Sequence, residues 1–78
     1  MPTVLIVGPY RFFFFASDNT EPPHVHVERE DCVAKFWLSP VRQARIGGFS
    51  KPEMKKLYGI VARREALLRE KWNEYFNT

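Results

Sequence analysis

The sequence predicts an α+β domain in which an antiparallel sheet of four or five strands packs against one long or broken C-terminal helix. Three observations carry that expectation. Runs of β-branched and aromatic residues split by turn residues fill the first half. A His-Val-His-Val alternation sits among them, and an amphipathic stripe behind a capping signal fills the second half. Strands first and a helix afterwards is the pattern of α+β architecture. With 78 residues the chain reads as a single domain, 1–78. At that size one core is only just sufficient, so a homo-oligomer is a candidate state.

Thr3 to Val7 and Arg11 to Ala16 read as two strands joined at Gly8-Pro9. Phe12 to Phe15 send two rings to each face, so one face should bury the core and the other should meet a helix or another chain. Ser17 to Pro23 is a polar loop, rich in residues that bond their own backbone or fix φ.

The run Pro23-His24-Val25-His26-Val27 then alternates, projecting both histidines to one face and both valines to the other. With a turn centred between Glu30 and Asp31, Val27 opposes Ala34 and Val25 opposes Phe36. On the other face His26 opposes Lys35 and His24 opposes Trp37. A shift of one residue would lose this sorting of apolar from polar.

Ser39-Pro40 ends the fourth strand, and Val41 to Ile46 supplies a fifth before Gly47-Gly48 breaks it. Ser50-Lys51-Pro52-Glu53 has the form of a capping box with proline in the first turn. Met54, Leu57, Tyr58, Val61, Leu68, Trp72 and Tyr75 continue as the apolar stripe, with a kink or break expected near residues 59–65 because of Gly59.

Charge is unevenly divided. Residues 1–40 hold three Lys/Arg against five Asp/Glu, and 41–78 hold nine against four, which together give the net +3. Arg42, Arg45, Lys55, Lys56 and Arg63, with Trp37 as a stacking ring, are the candidate nucleic-acid contacts. The lone Cys32 excludes an internal disulfide framework. No leader pattern or membrane-length apolar run is present, so a cytoplasmic protein without membrane contact is expected. No glycine-rich phosphate loop occurs.

His24 and His26 are the best handle on function. In a phosphodiester chemistry one imidazole would take a proton from a ribose hydroxyl and the other would protonate the leaving oxygen, with Lys35 and Arg11 meeting the developing charge. In a metal site the pair would need further ligands from Asp18, Glu21, Glu28 or Cys32, and Lys35 would oppose the cation. In a docking surface the pair, Trp37 and the outer rings of the second strand would meet a protein. A purely structural reading has the histidines pinning the Asp18 to Glu21 loop while Arg11 and Lys35 pair with Glu21 or Glu28. No cofactor is implied by composition or motif.

Tyr10-Arg11-Phe12-Phe13-Phe14, Glu21-Pro22-Pro23-His24-Val25-His26-Val27, Ala34-Lys35-Phe36-Trp37-Leu38 and Trp72-Asn73-Glu74-Tyr75-Phe76 closely resemble a small bacterial family catalogued as domain of unknown function 4160. The resemblance implies a small cytoplasmic protein, often encoded beside a second short protein in an arrangement similar to a toxin-antitoxin operon. It makes Arg11, Glu21, His24, His26, Lys35 and Trp37 the residues to test. Tyr58-Gly59 and Arg63-Arg64-Glu65 depart from the more acidic, asparagine-containing stretch expected there. The combined expectation is a toxin-antitoxin-like component that acts on or binds RNA and is held by a cognate small protein. A non-enzymatic module docking that partner is the second reading, and metal binding through the His-x-His strand is the third.

Overall fold

A computed structural model describes residues 2–77. Five strands form one antiparallel sheet in chain order: β1 (Thr3–Val7), β2 (Tyr10–Phe13), β3 (His24–Arg29), β4 (Cys32–Leu38) and β5 (Val41–Arg45). Two helices follow, α1 (Lys51–Arg63) and α2 (Glu65–Phe76). The expected α+β class holds, and of the two forms expected for the C-terminal helix it is the broken one, in two pieces.

The β3–β4 register is the one that side-chain sorting predicts: His24 faces Trp37, Val25 faces Phe36, His26 faces Lys35 and Val27 faces Ala34. Arg29 pairs with Cys32, so Glu30-Asp31 is a two-residue turn, with Glu30 at φ 54. Val25, Val27, Ala34 and Phe36 are fully buried beneath the helices, together with Phe12, Leu57, Val61 and Leu68. That face is the core. The opposite face carries the histidines.

Several boundaries differ from the sequence reading. β2 begins at Tyr10 and ends at Phe13 rather than running to Ala16, because Phe14 leaves the sheet to pack edge-on against Trp72, 5.3 Å between ring centroids. β5 stops at Arg45 rather than Ile46, since Gly47 turns back and its carbonyl accepts the Val33 N–H at 3.1 Å. The helix breaks within the expected stretch of residues 59–65, at Arg64 (φ −115, ψ 19), while Gly59 itself stays inside α1. That break resets the helical phase. Within α1 the buried positions are Met54, Leu57, Ile60 and Val61, and within α2 they are Leu68 and Trp72, while Tyr58 and Tyr75 stand exposed.

The serine half of the expected capping box forms: the Ser50 hydroxyl accepts the Glu53 N–H, and Pro52 lies in the first turn, while the Glu53 carboxylate turns to the sheet rather than back to Ser50. The Glu53 carboxylate also ties α1 to the sheet. It accepts from Arg29 Nε at 2.8 Å, Arg29 Nη2 at 2.9 Å and the Tyr10 hydroxyl at 2.7 Å. The Arg29 hydrogen bonds, then the Tyr10 hydroxyl, hold its carboxyl below the usual range. A carboxyl depressed in the folded state stabilises above its unfolded pKa and loses that contribution as pH falls through the folded value. Thermal melts should therefore show stability declining below about pH 4. In Glu53→Gln the decline over that window should be shallower, although the variant is less stable at neutral pH. Parallel acid profiles for the two proteins would sink the assignment.

Candidate functional site

Alternation along β3 places the His24 and His26 rings on the sheet face opposite Val25 and Val27, 5.1 Å apart between centroids and nearly perpendicular. Neither is open to solvent. The side chains of His24 and His26 are 1% and 9% exposed. Their cover comes from the protein itself. The loop after β2 folds back so that Phe15 packs edge-on to His26 at 4.7 Å, and Phe13 stacks on the same ring at 5.4 Å. Trp37 and Trp72 pack against His24 at 5.6 and 5.2 Å. The outer face of β2 was expected to meet a helix or a second chain. Its own loop covers it instead, and Phe13 is buried.

The centre of the cluster is Asp18, in a short 3-10 turn (Asp18–Thr20). Its Oδ2 accepts the Phe15 N–H at 2.7 Å, the local side-chain-to-backbone bond that the Ser-Asp-Asn-Thr composition favours. The same carboxylate faces both rings. His26 Nε2 lies 3.4 Å from Oδ1 and 3.2 Å from Oδ2, and His24 Nε2 lies 3.1 Å from Oδ1. His24 Nδ1 donates to the Pro22 carbonyl at 2.8 Å, since a carbonyl only accepts. Burial pushes the His26 pKa below that of a free imidazole, with the Asp18 charge pulling the other way.

Ion pairs surround this centre. Lys35 donates to Glu21 at 2.6 Å and also lies 4.5 Å from the Trp37 ring centroid. The Glu21 carboxyl is held below its ordinary range, chiefly by that lysine. Arg11 pairs with Glu28, donates to Thr3 and stacks over Phe13. The predicted catalytic set of His24, His26, Lys35, Arg11 and Glu21 is therefore gathered in one region but neutralised pair by pair. A sealed His24 cannot touch a ribose, so the two-imidazole phosphodiester mechanism finds no exposed acid–base pair here.

The predicted nucleic-acid residues divide. Arg42 pairs across the sheet with Trp37, and Arg45 with Lys35, a bulge between them taking up one residue. Trp37, Arg42, Ser39, Pro22 and Pro23 line a shallow hollow of about 230 Å³. Lys55 lies on the helix side of β5, where Gln43, Ile46, Lys51, Met54 and Tyr58 complete a larger groove of about 410 Å³. Lys56 turns towards the Tyr10 ring, and Arg63 lies at the end of α1 beside Gly59, so neither joins the strip on β4 and β5.

Sequence reasoning placed Asp18 only among several neighbours of the histidines. Its location in a turn-forming run was the available signal for a side chain folded onto local backbone. The Trp72 contact had no such signal, because it depends on how α2 packs.

The fold and the site together define a small α+β domain in which a loop carboxylate and two strand imidazoles form a buried cluster on the outer sheet face. The chain belongs to the family described as domain of unknown function (DUF4160), whose model matches residues 10–73. The matched span holds the entire cluster. No curated protein and no solved structure matches the chain. No helix among the described residues is long and apolar enough to cross a membrane.

Proposed function

We propose that the domain is the RNA-binding component of a cytoplasmic, toxin-antitoxin-like pair, holding single-stranded RNA along the outer face of β4 and β5 and itself held by a cognate small protein. The observation that carries this reading is the contrast between two sets of cations. Arg11 and Lys35 are occupied by Glu28 and Glu21. Arg42 and Arg45 are exposed and, among the described residues, in no ion pair. They stand across from Lys35 and Trp37 on one sheet face.

A guanidinium without a protein carboxylate is available to phosphate, and an adjoining indole offers a stacking plane for a base. The hollow beside Trp37 is below the size of a drug-like pocket and suits a single planar group. The burial of both histidines supports binding rather than cleavage.

The apolar groove between β5 and α1 favours a second, compatible role as the docking place of the cognate protein. Ile46 and Tyr58 are exposed there, and Lys51 and Lys55 flank them.

Fluorescence anisotropy with labelled single-stranded RNA at several salt concentrations tests the reading. Arg42→Ala and Arg45→Ala should each reduce the slope of log affinity against log salt by about 0.7. Trp37→Ala should weaken binding by about 1–3 kcal/mol with little change in slope. Arg69→Ala, whose guanidinium lies on α2 beside Glu65, should change neither. Micromolar RNA binding that is absent, or equally affected by Arg69→Ala, would remove the proposal.

A further inference from the structure

We propose that Asp18, His24 and His26 bind one divalent transition-metal ion, which fastens the loop of residues 14–23 to the sheet. The inference rests on this cluster and is independent of RNA binding.

The two imidazole nitrogens and the carboxylate offer their ligand atoms within 4.8 Å of one another. Asp18 Oδ1 lies 3.1 Å from His24 Nε2 and 3.4 Å from His26 Nε2. Ligands at zinc distances in a tetrahedron stand about 3.3–3.4 Å apart. Two edges of the ligand triangle are thus already at coordination spacing.

The second observation is an orphaned atom. His24 Nε2 is buried and has no hydrogen-bond partner, although Asp18 Oδ1 is only 3.1 Å away. The oxygen is close but not placed to accept an N–H from the ring. Because Nδ1 donates to the Pro22 carbonyl, a neutral His24 carries its lone pair on Nε2, 3.1 Å from a carboxylate oxygen. Two acceptors in contact need a cation between them. A backbone carbonyl fixing one ring nitrogen so that the other points inwards is also the arrangement that orients metal-bound histidines.

Lys35 would oppose a metal if its charge were free, but its ammonium is held by Glu21 at 2.6 Å. Glu21 Oε1 is itself 3.9 Å from His24 Nε2, so it or a water can complete the coordination from the solvent side. Phe13, Phe15, Trp37 and Trp72 wall the remaining sides. Two imidazoles and one carboxylate suit Zn²⁺, Fe²⁺, Co²⁺ or Ni²⁺. Mg²⁺ and Ca²⁺ prefer all-oxygen sites and Cu⁺ prefers sulfur.

The test uses the full chain, stripped with a chelator and dialysed, and titrated with ZnCl₂ in a calorimeter and with CoCl₂ in a spectrophotometer. The expected result is one Zn²⁺ per chain, visible d–d bands with Co²⁺, and a higher melting temperature with Zn²⁺ but not with Mg²⁺. Asp18→Asn and His26→Gln should each weaken binding about tenfold or more. Cys32→Ser should leave it unchanged, which separates this site from thiol binding. Should the ligand variants fail to fold, ring-proton NMR of the unmodified chain decides, because Zn²⁺ must shift the signals of both histidines. Absence of binding overturns the proposal, as does binding lost in Cys32→Ser. Histidine signals that respond to pH but not to Zn²⁺ would identify a proton-bound imidazole–carboxylate cluster and equally overturn it.

Discussion

Gly47→Ala is expected to destabilise the domain by about 3–5 kcal/mol, at the high end for a single substitution, because backbone must move to admit it. A β-carbon at this position would sit 1.8 Å from the Val33 carbonyl oxygen and 2.3 Å from its carbon. Neither is the movable end of a side chain. The approach is needed because the Val33 N–H donates to the Gly47 carbonyl at 3.1 Å, tying the β5–α1 connection to the start of β4. The φ of +65° adds a cost of about 1–2 kcal/mol for any residue bearing a β-carbon. A domain of this length holds about 4–12 kcal/mol in total, so the variant should be marginal or unfolded at 37 °C. Urea denaturation measures the loss. Gly8 is the control: its φ is +57°, but a β-carbon there would meet nothing within 4 Å, so Gly8→Ala should lose only about 1 kcal/mol. Equal losses at the two positions would show that backbone conformation alone, and not the contact with Val33, sets the cost.

This contact marks the limit of what the sequence discloses. The β3–β4 register was legible because alternation ties each side chain to a face, and only one pairing buries Val25, Val27, Ala34 and Phe36 together. The start of α1 was legible because a serine N-cap accepts the Glu53 N–H within one turn and proline fits the first helical positions. Gly47-Gly48 read only as a break, since the reason for glycine lies in a strand well back along the chain. Gly59 marked residues 59–65 as the weak part of the helix by propensity, and the break lies within them. The break fell at Arg64, where α2 turns so that Leu68 and Trp72 reach the core. Tertiary packing set the boundary there.

The site was legible to a similar depth. Alternation brought His24 and His26 to one face beside Lys35 and Trp37. The structural reading, in which loop carboxylates hold the histidines while Arg11 and Lys35 pair with glutamates, matches Asp18, Glu28 and Glu21 as they stand. Accessibility was not legible. Whether two polar rings on a strand are open or sealed depends on Phe15 folding back from the loop and Trp72 arriving from the last helix. Neither leaves a local mark in sequence. The exposure of Arg42 and Arg45 on β5 is set in the same way, by what the rest of the chain leaves uncovered.

Asp18→Ala should be the most damaging single change in the outer layer, at about 2–4 kcal/mol in metal-free protein. The substitution removes the acceptor of the Phe15 N–H, a bond of 2.7 Å to a charged group, worth about 1.5–3 kcal/mol. It also leaves His26 Nε2 without its carboxylate partner in a ring that burial already disfavours charging. Loss of the loop would expose Phe13 and take the Phe15 ring off His26. Asp18→Asn separates these contributions, since an amide oxygen can still accept from Phe15 but carries no charge. It should lose about 1 kcal/mol, near the net worth of an ordinary hydrogen bond. Chemical denaturation of the chelator-treated proteins gives both values, and hydrogen exchange at the Phe15 amide reports whether the loop has opened. If Asp18→Ala and Asp18→Asn prove equally mild and the Phe15 amide stays protected, the loop is held by ring packing alone and the carboxylate is not its anchor. If Asp18→Ala is severe and Asp18→Asn mild, the hydrogen bond to Phe15 shapes the loop, and the charge of Asp18 is left to serve the two imidazoles.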